Sequence, residues 1–416
     1  MVMSDGRYAP AGSLIGLVQR GRGLGARMAA EDPAAAAELV HGCIRWDWRW
    51  DSVDQRALYL ARLVRDLELP LGPVAEGLGA GEESSERAAR VLALLALDGS
   101  GEAREVLRAY AEEGEHWVAA LEEMAHRWPV EWWDDLEGTA RERLGDRDRA
   151  ELWADPWDRW GLAGPRPVRG PRGPKPLAEV DSAGLLELLA DPGESKERRT
   201  AALDVLDDRG PEPGVIPLVP SLGTADGKYM LWPLIGVVDK LGALAVPAAR
   251  EWAAVTEPEW LRLRGLSVLA ECGEAEDIPV LVADLERDWV ERRWCGPKRT
   301  ADGLARFGAE ARGAVSLLRR FWLWTPHSYE RVSYLEALGE IDPTGLESVY
   351  VECLWDCEDD ARLLGVERAP DQPEVRGRLE YLRDDELEEP AVRAAARERL
   401  AALTGQSYRP GMRPLR

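Results

Sequence analysis

The sequence is poor in the residues that most often carry chemistry or cross-links: four histidines, five cysteines, five lysines and two phenylalanines in 416 residues. The cysteines (Cys43, Cys272, Cys295, Cys353 and Cys357) are odd in number and scattered, which excludes a secreted disulfide framework and points to a reducing compartment. No long apolar run is present. The longest, Val91 to Leu97, is far too short to cross a bilayer, and the opening MVMSDGRYAP lacks a basic region followed by an apolar core. The expectation is a cytoplasmic protein with no membrane contact.

Hydrophobic residues make up 45% and charged residues 31%, enough to build a large core, so disorder of the whole chain is excluded. The formal charge is −23, which disfavours a globally basic face for duplex DNA and makes nucleic acid an improbable partner. Five lysines against 48 arginines match the codon bias of a GC-rich bacterial genome.

An internal repeat organises the second half. The segment LDVLDDRGPEPGVIPLVPSL (203–222) returns in outline at 235–255 and 266–285, and more weakly at 301–321, 335–354 and 363–382. Gly210, Gly242, Gly273 and Gly308 are 32, 31 and 35 residues apart, and Asp342 and Pro370 replace the glycine in the last two copies. Apolar residues three apart precede each breaker, as in Leu203 and Leu206 or Leu266 and Leu269, which is helical spacing. A second helix is predicted to open at Ile216-Pro217, Val246-Pro247 and Ile278-Pro279, where proline's missing N–H costs nothing in a first turn. Sustained period-2 alternation is absent, so the predicted fold class is all-α, built of paired helices.

The first half is predicted to be helical at 54–67, 86–97, 102–113 and 115–127, with a break at Asp98-Gly99. Between the halves, RWGLAGPRPVRGPRGPKP (159–176) holds five prolines, four glycines, five basic residues and no acid, and reads as an exposed basic connector. The predicted organisation is an N-terminal segment with a Trp-rich cap (1–53), a divergent helical-hairpin module (54–158), the connector (159–176), a repeat module of about six copies (177–404) and a tail (405–416).

The repeat resembles the HEAT family of α-solenoids in its short bacterial form, through AEDIPVLVADL (275–285) above all, over about 195–404 and loosely over 54–145. The period, near 33, is shorter than the usual HEAT length of about 40. The resemblance implies a right-handed α-solenoid that serves as a scaffold for protein–protein interaction. HEAT-like folds also include alkylpurine DNA glycosylases, which use Trp, Arg and Asp in a concave groove. A DNA-binding or glycosylase-type enzyme is therefore the alternative, and a lyase or cofactor-handling role of the phycobilin-lyase kind is a weaker third.

Sequence motifs for chemistry are sparse, and neither catalytic residues, nor a cofactor, nor a metal are expected. None of His41, His116, His126 and His327 is followed by Glu, so the His-Glu pairs of HEAT-like di-iron hydroxylases are missing. Cys353 and Cys357, four apart, would share a helix face, but without a second ligand pair they read as packed thiols. Gly21 to Ala26 matches a dinucleotide fingerprint that lacks its strand–helix context and reads as a turn. GTADGK (223–228) is one residue short of a phosphate-binding loop and reads as a repeat turn.

Tryptophan is the excess, at 18. Trp46, Trp48 and Trp50 alternate with charged residues and are expected to share a face and cap an open solenoid end. Trp132, Trp133, Trp153, Trp157 and Trp160 are expected to seal the junction between modules. Aromatics also recur at the inter-helix turns, where residues 287–320 carry nine basic against four acidic side chains. The candidate partner-binding ridge is Trp260, Trp289, Arg292, Arg293, Trp294, Lys298, Arg299, Trp322 and Trp324, because Trp and Arg are the pair enriched in interface hot spots. The competing reading is that the indoles plug gaps between helices.

Overall fold

A computed structural model describes residues 8–145, 149–165 and 176–407. Among these the chain is all-helical, with one isolated antiparallel bridge, Gly223 to Met230, and no strand.

The first half contains α1 (Leu14–Gln19), α2 (Gly23–Glu31), α3 (Pro33–Arg45), α4 (Ala57–Asp66), α5 (Gly72–Gly77), α6 (Glu82–Leu97), α7 (Gly101–Glu113), α8 (Trp117–Arg127) and α9 (Glu137–Leu144). Their starts follow from local chemistry. Ser13, Asp32 and Ser100 each accept a backbone N–H in the first turn of α1, α3 and α7, and Pro33 opens α3. Helix α6 carries the apolar run at its end, stops at Asp98, and the chain turns at Gly99 (φ +98°). It packs against α4, α7 and α8 around a core from Val18 to Leu162.

The second half contains α10 (Ser182–Ala190), α11 (Lys196–Asp208), α12 (Leu234–Leu241), α13 (Val246–Ala254), α14 (Glu259–Cys272), α15 (Ile278–Glu291), α16 (Pro297–Ala305), α17 (Val315–Trp324), α18 (Arg331–Ile341), α19 (Glu347–Cys353), α20 (Asp359–Arg368), α21 (Pro373–Asp384) and α22 (Pro390–Ser407). The breakers lie where the repeat phasing puts them: Gly242 and Gly273 cap α12 and α14, and Asp342 caps α18. Pro247 and Pro279 sit in the first turns of α13 and α15. In the earliest copy the predicted second helix is a 3-10 run, Pro213–Ser221, because Pro217 and Pro220, inside the run, remove two backbone donors that an α-helix would use.

Helices adjacent in sequence pack as pairs, α13 with α14, α15 with α16, α17 with α18, α19 with α20 and α21 with α22. Alternate helices also touch in series, α14 with α16, α16 with α18, α18 with α20 and α20 with α22, over a single core from Leu185 to Ala396. The connecting loops meet in the same order. Arg293 bridges to Glu259 at 2.7 Å, Trp289 meets Trp324 at 6.5 Å between ring centroids, Glu330 accepts the Lys298 N–H at 3.0 Å, and Arg331 reaches Asp356 at 3.2 Å.

Several details differ from the sequence reading. The stretch 159–176 begins inside the N-terminal core: Trp160 and Leu162 are buried and Arg159 pairs with Asp134, while 166–175 lie outside the described residues. Trp117, Trp157, Trp160 and Trp133 form edge-to-face contacts that close the end of the first module from within, whereas Trp153 is exposed. Trp46, Trp48 and Trp50 do not all share one environment: exposed Trp46 and Trp48, which stacks obliquely on Tyr8, line one recess, whereas Trp50 packs on the second core. Cys353 ends α19 and Cys357 lies in the following loop, so the two do not line one helix face.

Candidate functional site

Residues 20–62 lie against the ends of α17 and α19 and the loops that follow them, through charges taken out of water. Arg22 holds Glu352 by Nε–Oε1 at 2.5 Å and Nη2–Oε2 at 2.8 Å, and its guanidinium lies 4.5 Å from the Trp322 ring. Arg56 donates to Ser328 Oγ (2.6 Å) and Cys357 Sγ (2.9 Å). Arg62 donates to Asp385 and Glu388, and Arg362 grips the same Glu388 from the second module. Such charges are stable in the interior only because each has a partner with directed hydrogen bonds.

The Gly-rich run makes this approach possible. It follows a helix, α1, and a Cβ on Gly23 would lie 1.9 Å from the Glu352 carbonyl oxygen. Gly21, at φ +64°, accepts the Cys357 N–H at 2.9 Å through its carbonyl. These glycines let the start of α2 touch the loop after α19; they cradle protein backbone.

Asp54 is the centre of the junction. One carboxylate oxygen accepts from Trp50 and Asp51 N–H groups, and the other from His327 Nδ1 (2.8 Å), the Ser328 hydroxyl (3.0 Å) and the Tyr329 N–H (3.1 Å). Burial alone would raise its pKa, but the bond from His327 and the nearby Arg56 charge hold it well below the carboxylate range. The His327 imidazole responds in the opposite sense: burial, the largest single influence, lowers its pKa, but the bond to Asp54, the neighbouring Cys295 and the charges of Asp54 and Glu330 together outweigh burial and bring it to about 10.

Two recesses flank this node. A cavity of about 530 Å³ on the first-module side is lined by Trp46, Trp48, Arg49, Arg87, Arg90 and Arg127, with Asp54 at its edge. A groove of about 770 Å³ on the second module runs past Ser267, Asp288, Cys295, Arg299, Asp302 and Glu330. In it, burial, followed by the charge of Asp284, pushes the Asp288 carboxyl up to about 7.

Cys295, His327 and Glu330 converge beside this groove, with ligand-capable atoms all within 4.8 Å of one another. Cys295 is exposed and the other two are buried. A thiol, an imidazole and a carboxylate (Asp54) therefore stand in series, as in a nucleophilic triad. The Gly296 N–H next to Cys295, and the Lys298 N–H beyond it, both donate to Glu330, so these donors are committed and do not form an oxyanion hole.

The nine ridge residues predicted from sequence separate into groups. Trp260, Trp294 and Trp322 are buried, and Trp289 and Trp294 pack edge to face on Phe321. Arg292 lies over Trp289, and Arg293 pairs with Glu259. Trp324 is 41% exposed, Arg299 is exposed and Lys298 lies over the Tyr329 ring. In the loop whose Gly223 lies against the Trp260 ring, Trp232 and Tyr229 are 81% and 67% exposed. Sequence reasoning missed the Cys295, His327 and Glu330 cluster and Asp54; the available signal was the His-x-x-Glu spacing of His327 and Glu330.

Comparison of the chain with models of known families, with curated proteins and with solved structures finds no match in any of the three.

Proposed function

We propose that the second module is a HEAT-like α-solenoid and that the protein is a non-enzymatic scaffold, acting in the cytoplasm, whose loop edge docks a protein partner. The serial packing of α14, α16, α18, α20 and α22, with the connecting loops in matching order, supports the solenoid. The observation that carries the function is the set of large apolar side chains left in water at that edge: Tyr229, Trp232, Val290, Trp324 and Tyr329. Exposed aromatics grouped at one edge and interleaved with cations are the composition of a binding hot spot, whereas single exposed apolar residues are ordinary.

The partner is a segment presenting acidic and apolar side chains, since Lys228, Arg287 and Arg299 surround the aromatics in the sequence and are exposed. Capture experiments with Tyr229→Ala/Trp232→Ala and with Trp294→Ala test this reading. The first variant should lose the partner with an unchanged melting temperature, because it removes only exposed rings. The second should melt earlier because its indole is in the core. Partner retention by the first variant overturns the proposal, and salt-sensitive DNA binding at low ionic strength would favour the glycosylase-type alternative.

A further inference from the structure

We propose that Cys295, His327 and Glu330 form a binding site for a thiophilic divalent cation of the zinc class, set at the mouth of the second-module groove. The three donors come from two neighbouring loops, Cys295 from the loop between α15 and α16, His327 and Glu330 from the loop between α17 and α18. The gathered atoms lie within 4.8 Å of one another, so modest side-chain rotation brings sulfur, nitrogen and oxygen to the roughly 2.0–2.3 Å that zinc takes from such ligands.

The framework around the donors is already rigid. Glu330 accepts the Gly296 N–H at 2.5 Å through Oε1, and through Oε2 it accepts the Lys298 N–H at 3.0 Å and the Tyr334 hydroxyl at 2.9 Å. It therefore pins the Cys295 loop to its own, and Oε1 keeps a lone pair beyond the one bond it accepts. His327 Nδ1 is bound to the Asp54 carboxylate, which orients the ring and makes Nε2 the nitrogen for an ion, which takes the place of the proton there. A carboxylate behind a ligating imidazole is the usual outer support of zinc sites. The Cys295 sulfur lies within 4.8 Å of a nitrogen of the same ring.

The donor set selects the ion. One sulfur and one imidazole nitrogen favour zinc or another borderline-soft ion over calcium or magnesium, which take oxygen ligands. Three protein donors and an exposed cysteine leave a fourth position open to the groove, where a partner side chain or water completes the tetrahedron. Because Asp54 belongs to the first module, an ion here also ties the module junction to the groove.

Isothermal titration of the full chain, stripped with chelator, against zinc chloride is the test, with cobalt(II) as a spectroscopic probe. One ion per chain is expected, with a thiolate-to-cobalt charge-transfer band. Cys295→Ser, at an exposed position that does not endanger folding, should abolish the band and weaken zinc binding by at least about tenfold, and His327→Gln should weaken it similarly. Cys272→Ser should change neither. The proposal is overturned if the chain takes up no zinc, if zinc binds without the band, or if Cys295→Ser binds as tightly as the parent. These readouts do not involve the docking partner, so they stand or fall separately from the scaffold reading.

Discussion

Arg22 and Glu352, 330 residues apart in the chain, meet in a two-pronged ion pair that is almost wholly out of water. The pair fastens the start of α2 to the end of α19, with Trp322 beneath the guanidinium. Removing one partner leaves the other charge buried alone. Arg22→Ala should therefore cost about 3–5 kcal/mol, read as a lower urea midpoint, while Arg22→Met combined with Glu352→Leu should stay close to the parent. Equal destabilisation by both variants would show that the charges themselves, rather than their mutual satisfaction, support the junction.

Gly23 and Gly42 make opposite demands. An alanine at Gly23 would place its Cβ in the Glu352 carbonyl, whereas Gly42, inside α3, has nothing within 4 Å. Gly23→Ala should open the contact between α2 and α19 and lower the midpoint sharply. Gly42→Ala should raise stability by about 0.5–1 kcal/mol through helix propensity. Thermal melts of the two variants check both signs.

Asp288 gives stability a pH dependence of unusual sign. Its folded pKa is raised, to about 7 against an ordinary 3.8, by burial first and by Asp284 second, so the folded state holds this proton more tightly than the unfolded state does. The contribution is fully present below about pH 4 and is lost as pH rises through about 7, amounting to at most about 4 kcal/mol. Asp288→Asn should flatten that fall and should be more stable than the parent at pH 8. Identical pH profiles for the two proteins would contradict the assignment.

The thiols should divide by burial. Burial pushes the Cys43 thiol up to about 12 and raises Cys353 and Cys357 above the ordinary range. In the native protein a thiol reagent should modify Cys295 first and half-buried Cys272 more slowly, leaving the other three protected until denaturant is added. Peptide mapping after limited labelling identifies the sites.

Helix ends were legible because they depend on local chemistry: Gly242, Gly273, Asp342, Pro247 and Pro279 act within a single turn of their own positions. Pro217 and Pro220, inside the run 213–221, mark the earliest copy as 3-10 although its apolar pattern matches that of the α-helical copies. The junction was not legible. Its pairs, Arg22 with Glu352, Asp54 with His327 and Arg62 with Asp385, join residues that a helical pattern marks only as charged and hence as solvent-facing. The same holds for the ridge: residue type suggested an interface, while burial separates Trp294 and Trp322 in the core from Trp232 and Trp324 at the edge.

The docking account is tested most directly by hydrogen–deuterium exchange on the complex with the captured partner. Slowed exchange is expected in the loop at 222–233 and at 323–330, which carry the exposed aromatics Tyr229, Trp232, Trp324 and Tyr329, with the first-module cavity around Trp46 and Trp48 unchanged. Protection confined to that cavity, with the loop edge exchanging as in the free protein, would contradict it.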